Sequence, residues 1–287
     1  MAEYQFNAPA SIDPIYYGSR GNDFYSLIES VMLRANLNRN YLHQLLDNEA
    51  MKMFSDAFTA ESVDSINNYQ YYEQLGDVSG NKFIVWYMYQ KFPQLKCSSG
   101  VKIVARLKIL YGAKQSFCNI ADSLGFWPFI SATHTQRDRC KKALMEDVFE
   151  AFLGVVETIL DTKLKIGVGY AVVYDILKSL FDKMYISLRY EDLFDAKTRL
   201  KEVFDKFPDL GSLQYRETVE KMNGYNIVTS IAFSTLKTGQ QITLGTGQAS
   251  IKADAQQKAA AISIEYLKQK GYVKPAPAEF QMFQNGY

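Results

Sequence analysis

Histidine, cysteine and proline are scarce in this chain. Two histidines (His43 and His134) and three cysteines (Cys97, Cys118 and Cys140) stand among 287 residues, and their spacing fits no metal-ligand pattern. A histidine–cysteine metal cluster is therefore not expected, and any metal should sit among carboxylates. An odd number of scattered cysteines gives no disulfide framework and reads as reduced thiols in a reducing compartment. No stretch reaches the roughly 18 uninterrupted apolar residues of a membrane span. The opening Met1-Ala2-Glu3-Tyr4-Gln5-Phe6 lacks the basic-then-apolar order of a secretory signal. The expectation is a soluble intracellular protein, cytoplasmic or nuclear, with no membrane partner. An excess of one charge sign is missing too: the net formal charge is +1, so any polyanion-binding surface must be local.

What the chain does have is enough apolar material for one large domain or two modest ones: 47% hydrophobic against 22% charged residues. Residues 23–188 carry a helical pattern almost throughout, with Phe24, Leu27, Ile28, Val31 and Met32 on one face. Further helices are expected at 72–92, stopped by Pro93, and at 102–110, 117–124, 137–160 and 168–188. Past Leu188 the texture changes. A helix at 196–207 ends at Pro208, three strand-like runs follow at 213–219, 226–234 and 240–246, and an Ala-rich helix covers 252–270. The fold class expected is an all-α domain over 23–190, then a small α+β module of order α-β-β-β-α over 194–272. Residues 1–22 form an N-terminal extension and 273–287, with Pro275 and Pro277, a flexible tail.

Two acidic segments carry the chemistry. Glu73 and Asp77 lie at i,i+4 in Tyr72-Glu73-Gln74-Leu75-Gly76-Asp77, and Asp147 and Glu150 at i,i+3 in Glu146-Asp147-Val148-Phe149-Glu150. Each spacing puts a pair on one helix face, where like charges repel by a few tenths of a kcal/mol. Solvated surface acids would explain either pair taken alone. Apolar neighbours Leu75, Val148, Phe149, Phe152 and Leu153 speak for buried helices instead. Two such pairs facing each other would form a carboxylate cage of the kind magnesium prefers. A metal held there would activate water and stabilise the leaving oxygen in phosphodiester hydrolysis.

These segments resemble the ribonuclease III family. The run Gly76-Asp77-Val78-Ser79-Gly80-Asn81-Lys82-Phe83, closing on Lys91-Phe92-Pro93, is similar to the family signature and the helix after it. Asp147-Val148-Phe149-Glu150-Ala151 is similar to the second acidic motif, and Ile120-Ala121-Asp122-Ser123-Leu124-Gly125 to the helix between them. The resemblance implies an endonuclease cutting double-stranded RNA, with Glu73, Asp77, Asp147 and Glu150 as catalytic residues and ligands of Mg2+, or of Mn2+ in its place. It also implies a homodimer leaving short 3′ overhangs. Gln70, where the family has Glu, Gln74 in place of a bulky apolar residue, and Ser79-Gly80 in place of an apolar pair depart from the pattern. Such divergence from bacterial and fungal members points to a large DNA virus or a fast-evolving eukaryote. A catalytically silent RNA-binding or scaffold protein of the same fold is the alternative; the intact quartet of acids speaks against it.

The C-terminal module resembles double-stranded-RNA-binding domains through Ala196-Lys197-Thr198-Arg199-Leu200-Lys201-Glu202, through Gly245-Thr246-Gly247 and through the helix opening at Lys252. Such domains meet 2′-hydroxyls and phosphates with helix ends and basic side chains, which here implies Lys197, Thr198, Lys201, Lys252 and Lys258. The basic cluster is thinner than usual, and Asn223-Gly224-Tyr225 stands where a loop histidine is common. A packing module that kept the shape without the ligand therefore stays open. Arg137, Arg139, Lys141 and Lys142 suit either an RNA path or a plain solvated face. His134 reads as a surface residue rather than an acid–base catalyst, and Tyr69, Tyr71 and Tyr72 as packing rather than RNA stacking.

Overall fold

The computed structural model describes residues 13–112, 114–222 and 225–284. Loop residues Asn223 and Gly224, the first twelve positions of the expected extension and the last three of the expected tail lie outside the described residues. The chain divides into two compact units, Met1–Tyr185 and Ile186–Tyr287. No helix among the described residues is long and apolar enough to cross a membrane.

The first unit begins with a short strand β1 (Ile15–Tyr16), then α1 (Asn22–Met32), α2 (Arg39–Leu45), α3 (Asn48–Ala57) and α4 (Gln70–Lys91). It continues through α5 (Ser98–Tyr111), α6 (Lys114–Leu124), strand β2 (Ala132–Thr133), α7 (His134–Arg139), α8 (Lys141–Lys163) and α9 (Val168–Phe181). Short polar side chains start several of these helices. Asn38 accepts from the Asn40 and Tyr41 amides, Asp47 from Ala50 and Thr133 from Gln136, and each such cap contributes about 1 kcal/mol. Every residue from Val148 to Val156 is buried, the mark of a helix packed on all sides. A chain of rings ties α8 to its neighbours: Phe24 to Phe58 at 5.1 Å, Phe58 to Phe126 at 4.9 Å, Phe126 to Phe152 at 5.6 Å, and Phe152 to Phe54 at 5.3 Å.

Three expectations for this unit need correction. Instead of one helix over 137–160, the chain bends at Cys140 (φ −121°) between α7 and α8. Arg137 donates to the Ile130 and Trp127 carbonyls of the preceding turn, contacts that helical periodicity does not reveal. The helix expected to run to 188 ends at Phe181, where Asp182 accepts from Lys178 and Tyr87. Residues 13–22, assigned to an extension, belong to the unit itself. β1 pairs antiparallel with β2, and the Arg20 guanidinium donates to Ser55 Oγ (2.9 Å) and to the Phe58 (3.1 Å) and Phe129 (2.5 Å) carbonyls.

The second unit contains α10 (Tyr190–Leu193), α11 (Ala196–Lys206), β3 (Ser212–Met222), β4 (Tyr225–Thr235), β5 (Gln241–Ala249), α12 (Lys252–Gln269) and α13 (Ala278–Gln284). The strands form one antiparallel sheet in the order β3-β4-β5, with a bulge at Ala232/Phe233. Leu200, Val203 and Phe204 of α11, Leu244 of β5 and Ala260 and Leu267 of α12 make its core. Small side chains at Ala255, Ala259 and Ala260 let α12 lie close on the sheet. The tail also differs from expectation. Phe280 and Phe283, three residues apart on one face of α13, are buried, with Phe280 at 5.4 Å from the Tyr190 ring and 5.3 Å from Phe194. Two prolines dominate the sequence signal there and hide this short apolar face.

Arg20→Met removes donors from several buried carbonyls at once. It is expected to lower the stability of the first unit by about 1.5–3 kcal/mol, read as an earlier urea midpoint with an unchanged m-value.

Candidate functional site

The two acidic segments meet where α4 crosses α8, and the crossing is close because both helices carry glycine at the contact. A methyl group on Gly76 would lie 1.7 Å from the Glu150 carbonyl oxygen, and one on Gly154 would lie 2.1 Å from that of Tyr72. The backbones of 72–76 and 150–154 therefore touch. Glu73 and Asp77 flank the contact on one helix, Asp147 and Glu150 on the other. One turn further along α4, Ser79 is buried and donates to Glu157 of α8. Gly80 leaves room for the Phe117 ring, which a Cβ would approach to 3.1 Å. Both departures from the apolar family pattern are thus packing solutions.

The four acids differ in environment. Asp77 is exposed and Glu73 and Asp147 are half-buried, whereas Glu150 is 5% exposed. Burial pushes the Glu150 carboxyl up to about 9, and the charges of Asp77, Glu146, Glu73 and Asp147 add to the shift. At neutral pH, without a cation, Glu150 is therefore protonated. Neutral donors steady the two aspartates: Tyr69 Oη donates to Asp147 Oδ2 at 3.1 Å, and Asn81 Nδ2 to Asp77 Oδ1 at 2.6 Å. Burial and the neighbouring acids raise the Tyr69 hydroxyl, which stays neutral as a donor. Gln70, at the family's usual Glu position, donates to Glu61.

Among the described residues no three His, Cys, Asp or Glu side chains stand grouped as a metal would require. The two acidic pairs flank one helix contact, but their side chains do not form the four-acid ligand cluster that was expected. The donor set nevertheless suits a hard divalent cation: oxygen only, with an excess of negative charge that one carboxyl relieves by keeping its proton.

Sequence reasoning missed Glu146, 7% exposed and pressing on Glu150 one helical turn away. Its i,i+4 spacing to Glu150 was the available signal. Tyr69 is buried as expected, yet its hydroxyl faces an acid; Tyr71 is exposed and Tyr72 half-buried. His134 is exposed at the start of α7. Arg137 lies between the Tyr16 and Trp127 rings, 3.9 and 3.8 Å from their centroids, and Lys141 pairs with Asp122 at 3.2 Å.

In the second unit, three of the four lysines expected to meet RNA already have partners. Lys197 Nζ donates to Gln256 Oε1 (2.5 Å), Lys252 pairs with Glu217 (3.2 Å), and Lys258 Nζ donates to the Gln248 carbonyl (2.9 Å). Thr198 is bound to the capping Asp195, and Lys201 lines a groove between α11 and β3 with Lys197, Phe204 and Tyr215.

Comparison with known proteins gives these features a family. A ribonuclease 3, by name, of Invertebrate iridescent virus 6 is 39% identical over 289 residues, 95% of this chain and 98% of the relative. One of Frog virus 3 is 38% identical over 77% of this chain and 57% of its own length. The ribonuclease 3 of Geobacillus kaustophilus is 27% identical over 76% and 85%. No family profile matches the chain. Among solved structures, the nuclease domain of ribonuclease III from Campylobacter jejuni is 17% identical over 56% of this chain and 97% of that domain, with a TM-score of 0.42. Dicer from Pichia stipitis is 18% identical over 77% and 94%, at 0.31; superpositions this loose carry no weight. With the viral relative matched from end to end, the chain belongs to the ribonuclease III family of endoribonucleases. The relatives at 39% and 38% identity are viral and the Geobacillus protein stands at 27%, in line with the divergence of the motifs from bacterial members.

Two outcomes follow at the crossing. Gly154→Ala is expected to force the helices apart and destabilise the first unit by about 1–3 kcal/mol in thermal or urea melts. Because Glu150 holds its proton up to about 9 in the folded chain against 4.5 ordinarily, the stability it contributes is present at low pH and lost as pH rises through that window. In chelator, Glu150→Gln should therefore melt like the parent near pH 5 and higher than it at pH 8, by roughly 2–4 °C per kcal/mol recovered.

Proposed function

We propose that this protein is a divalent-cation-dependent endoribonuclease that cuts double-stranded RNA, with Glu73, Asp77, Asp147 and Glu150 as its catalytic acids. The observation that carries the proposal is the glycine contact between α4 and α8, which puts both acidic pairs at one crossing and holds Glu150 protonated there. These four carboxylates would hold Mg2+, or Mn2+ in its place. A cation so bound supplies charge for the departing oxygen and lowers the pKa of water, as hydrolysis of a phosphodiester needs. Tyr69 and Asn81 keep Asp147 and Asp77 in place by hydrogen bonds. Glu150, nearly shut off from solvent, gives up its proton as positive charge arrives, so cation affinity depends on pH.

The exposed face of α4 supports a homodimer. Tyr71, Leu75, Val78 and Trp86 recur at helical spacing and remain open to solvent, with Val78 67% and Trp86 58% exposed, a stripe that calls for a partner surface. Two sites related by a twofold axis would cut both strands and leave the short 3′ overhangs that family membership suggests. The C-terminal unit, a helix, three antiparallel strands and a helix, is proposed as the module that holds the duplex through Lys197, Thr198, Lys201, Lys252 and Lys258.

Long duplex RNA incubated with the protein and Mg2+ should be cut to short duplexes, and neither Glu150→Gln nor the chelated parent should cut it. Retardation of the duplex with no cleavage under any condition would instead favour an RNA-binding scaffold. Calorimetric titration of Mg2+ should show affinity rising between pH 6 and 9, with proton release on binding that the Glu150→Gln variant lacks.

A further inference from the structure

Glu217 of β3 holds two residues of α12 with its two oxygens, and through one of them, Gln256, it is linked to Lys197 of α11. The strand alternation that points Leu213 and Tyr215 of β3 toward the core carries Glu217 to the same side. One carboxylate oxygen accepts from Gln256 Nε2 of α12 at 2.5 Å, and the other faces Lys252 Nζ at 3.2 Å. Gln256 is only 9% exposed, and its carbonyl oxygen accepts from Lys197 Nζ of α11 at 2.5 Å. Two of the lysines proposed to meet phosphate thus lead, from different helices, to one acid.

The two ends of the ion pair are unequal. The Glu217 side chain is 19% exposed and fixed by a buried amide, while that of Lys252 is 65% exposed and free to turn outward. Gln256 and Lys252 hold the Glu217 carboxyl below the usual range, so it is charged at neutral pH. A phosphate approaching the start of α12 therefore finds the ammonium already engaged. If Lys252 swings to the RNA, it leaves a fixed negative charge behind, which repels the incoming strand.

We propose that Glu217 is an internal counter-ion that competes with RNA phosphates for Lys252 and, through Gln256, for Lys197, and so sets the affinity of the C-terminal unit for duplex RNA. Glu217 has this role only if that unit binds duplex RNA, as proposed above.

The test is binding of the full chain to a duplex of about 20 base pairs, long enough for one such module, in chelator and low salt. Glu217→Gln keeps the length of the side chain and its contact with Gln256, and removes the charge. It is expected to bind about two- to fivefold more tightly than the parent, the range of one exposed ion pair. Its melting temperature should be unchanged, and the gain should vanish in a Lys197→Ala/Lys252→Ala background. Glu217→Thr, suited to a strand, should gain in the same way and covers the case in which the glutamine variant folds poorly. Equal or weaker binding by both variants, while the parent binds and Lys252→Ala weakens it, overturns the counter-ion role and leaves RNA binding by the unit intact. A gain that persists without Lys197 and Lys252 overturns it too. Absence of binding by the parent and by both variants overturns the RNA-binding role along with it.

Discussion

The first unit depends on one contact, backbone against backbone where α4 meets α8. Two glycines replace the side chains that would hold the helices a further layer apart, and their approach brings Glu73 and Asp77 within reach of the field of Asp147 and Glu150. α8 is buried along its middle turns, and its phenylalanines are interleaved with those of α3 and α6, so it cannot retreat without opening the core. A helix that is structurally central thus also carries two acids of the proposed centre.

That arrangement has an electrostatic cost, and the protein meets it by protonation. Burying a carboxylate beside other carboxylates is unfavourable, and Glu150 answers by holding a proton far above the ordinary range. The same imbalance is what a divalent cation would relieve, which makes the destabilising feature and the proposed binding feature one and the same. The second unit shows the opposite arrangement. Lys197, Lys252 and Lys258 are satisfied internally, by Gln256, Glu217 and the Gln248 carbonyl, so a polyanion that takes these lysines must compete with contacts already made.

Much of this was legible in the residues. Acid pairs at i,i+4 and i,i+3 announce shared helix faces, and Pro93 and Pro208 mark helix ends that the structure keeps. The order of helix, three strands and helix follows from a switch in period from 3.6 to 2. What escaped were contacts between residues distant in sequence. Arg20 falls in the expected N-terminal extension, yet it donates to the Phe58 carbonyl 38 residues away and to the Phe129 carbonyl 109 residues away. Phe280 and Phe283 are too few to form a pattern and are masked by Pro275 and Pro277. Ser79 and Gly80 looked like flaws in a signature, but Glu157 and Phe117 supply the reasons for them from other helices. Glu146 lies outside the two acid pairs, and its burial against Glu150 emerges only once α8 is packed.

The cation site proposed at the α4–α8 crossing, among Glu73, Asp77, Asp147 and Glu150, is tested most directly by anomalous diffraction from crystals grown with Mn2+ at pH 8. The prediction is a manganese peak bounded by those four carboxylates, with Glu150 drawn toward it and the peak lost from Glu150→Gln crystals. A well-ordered crossing with no anomalous density there, at a manganese concentration that fills other sites, would contradict it.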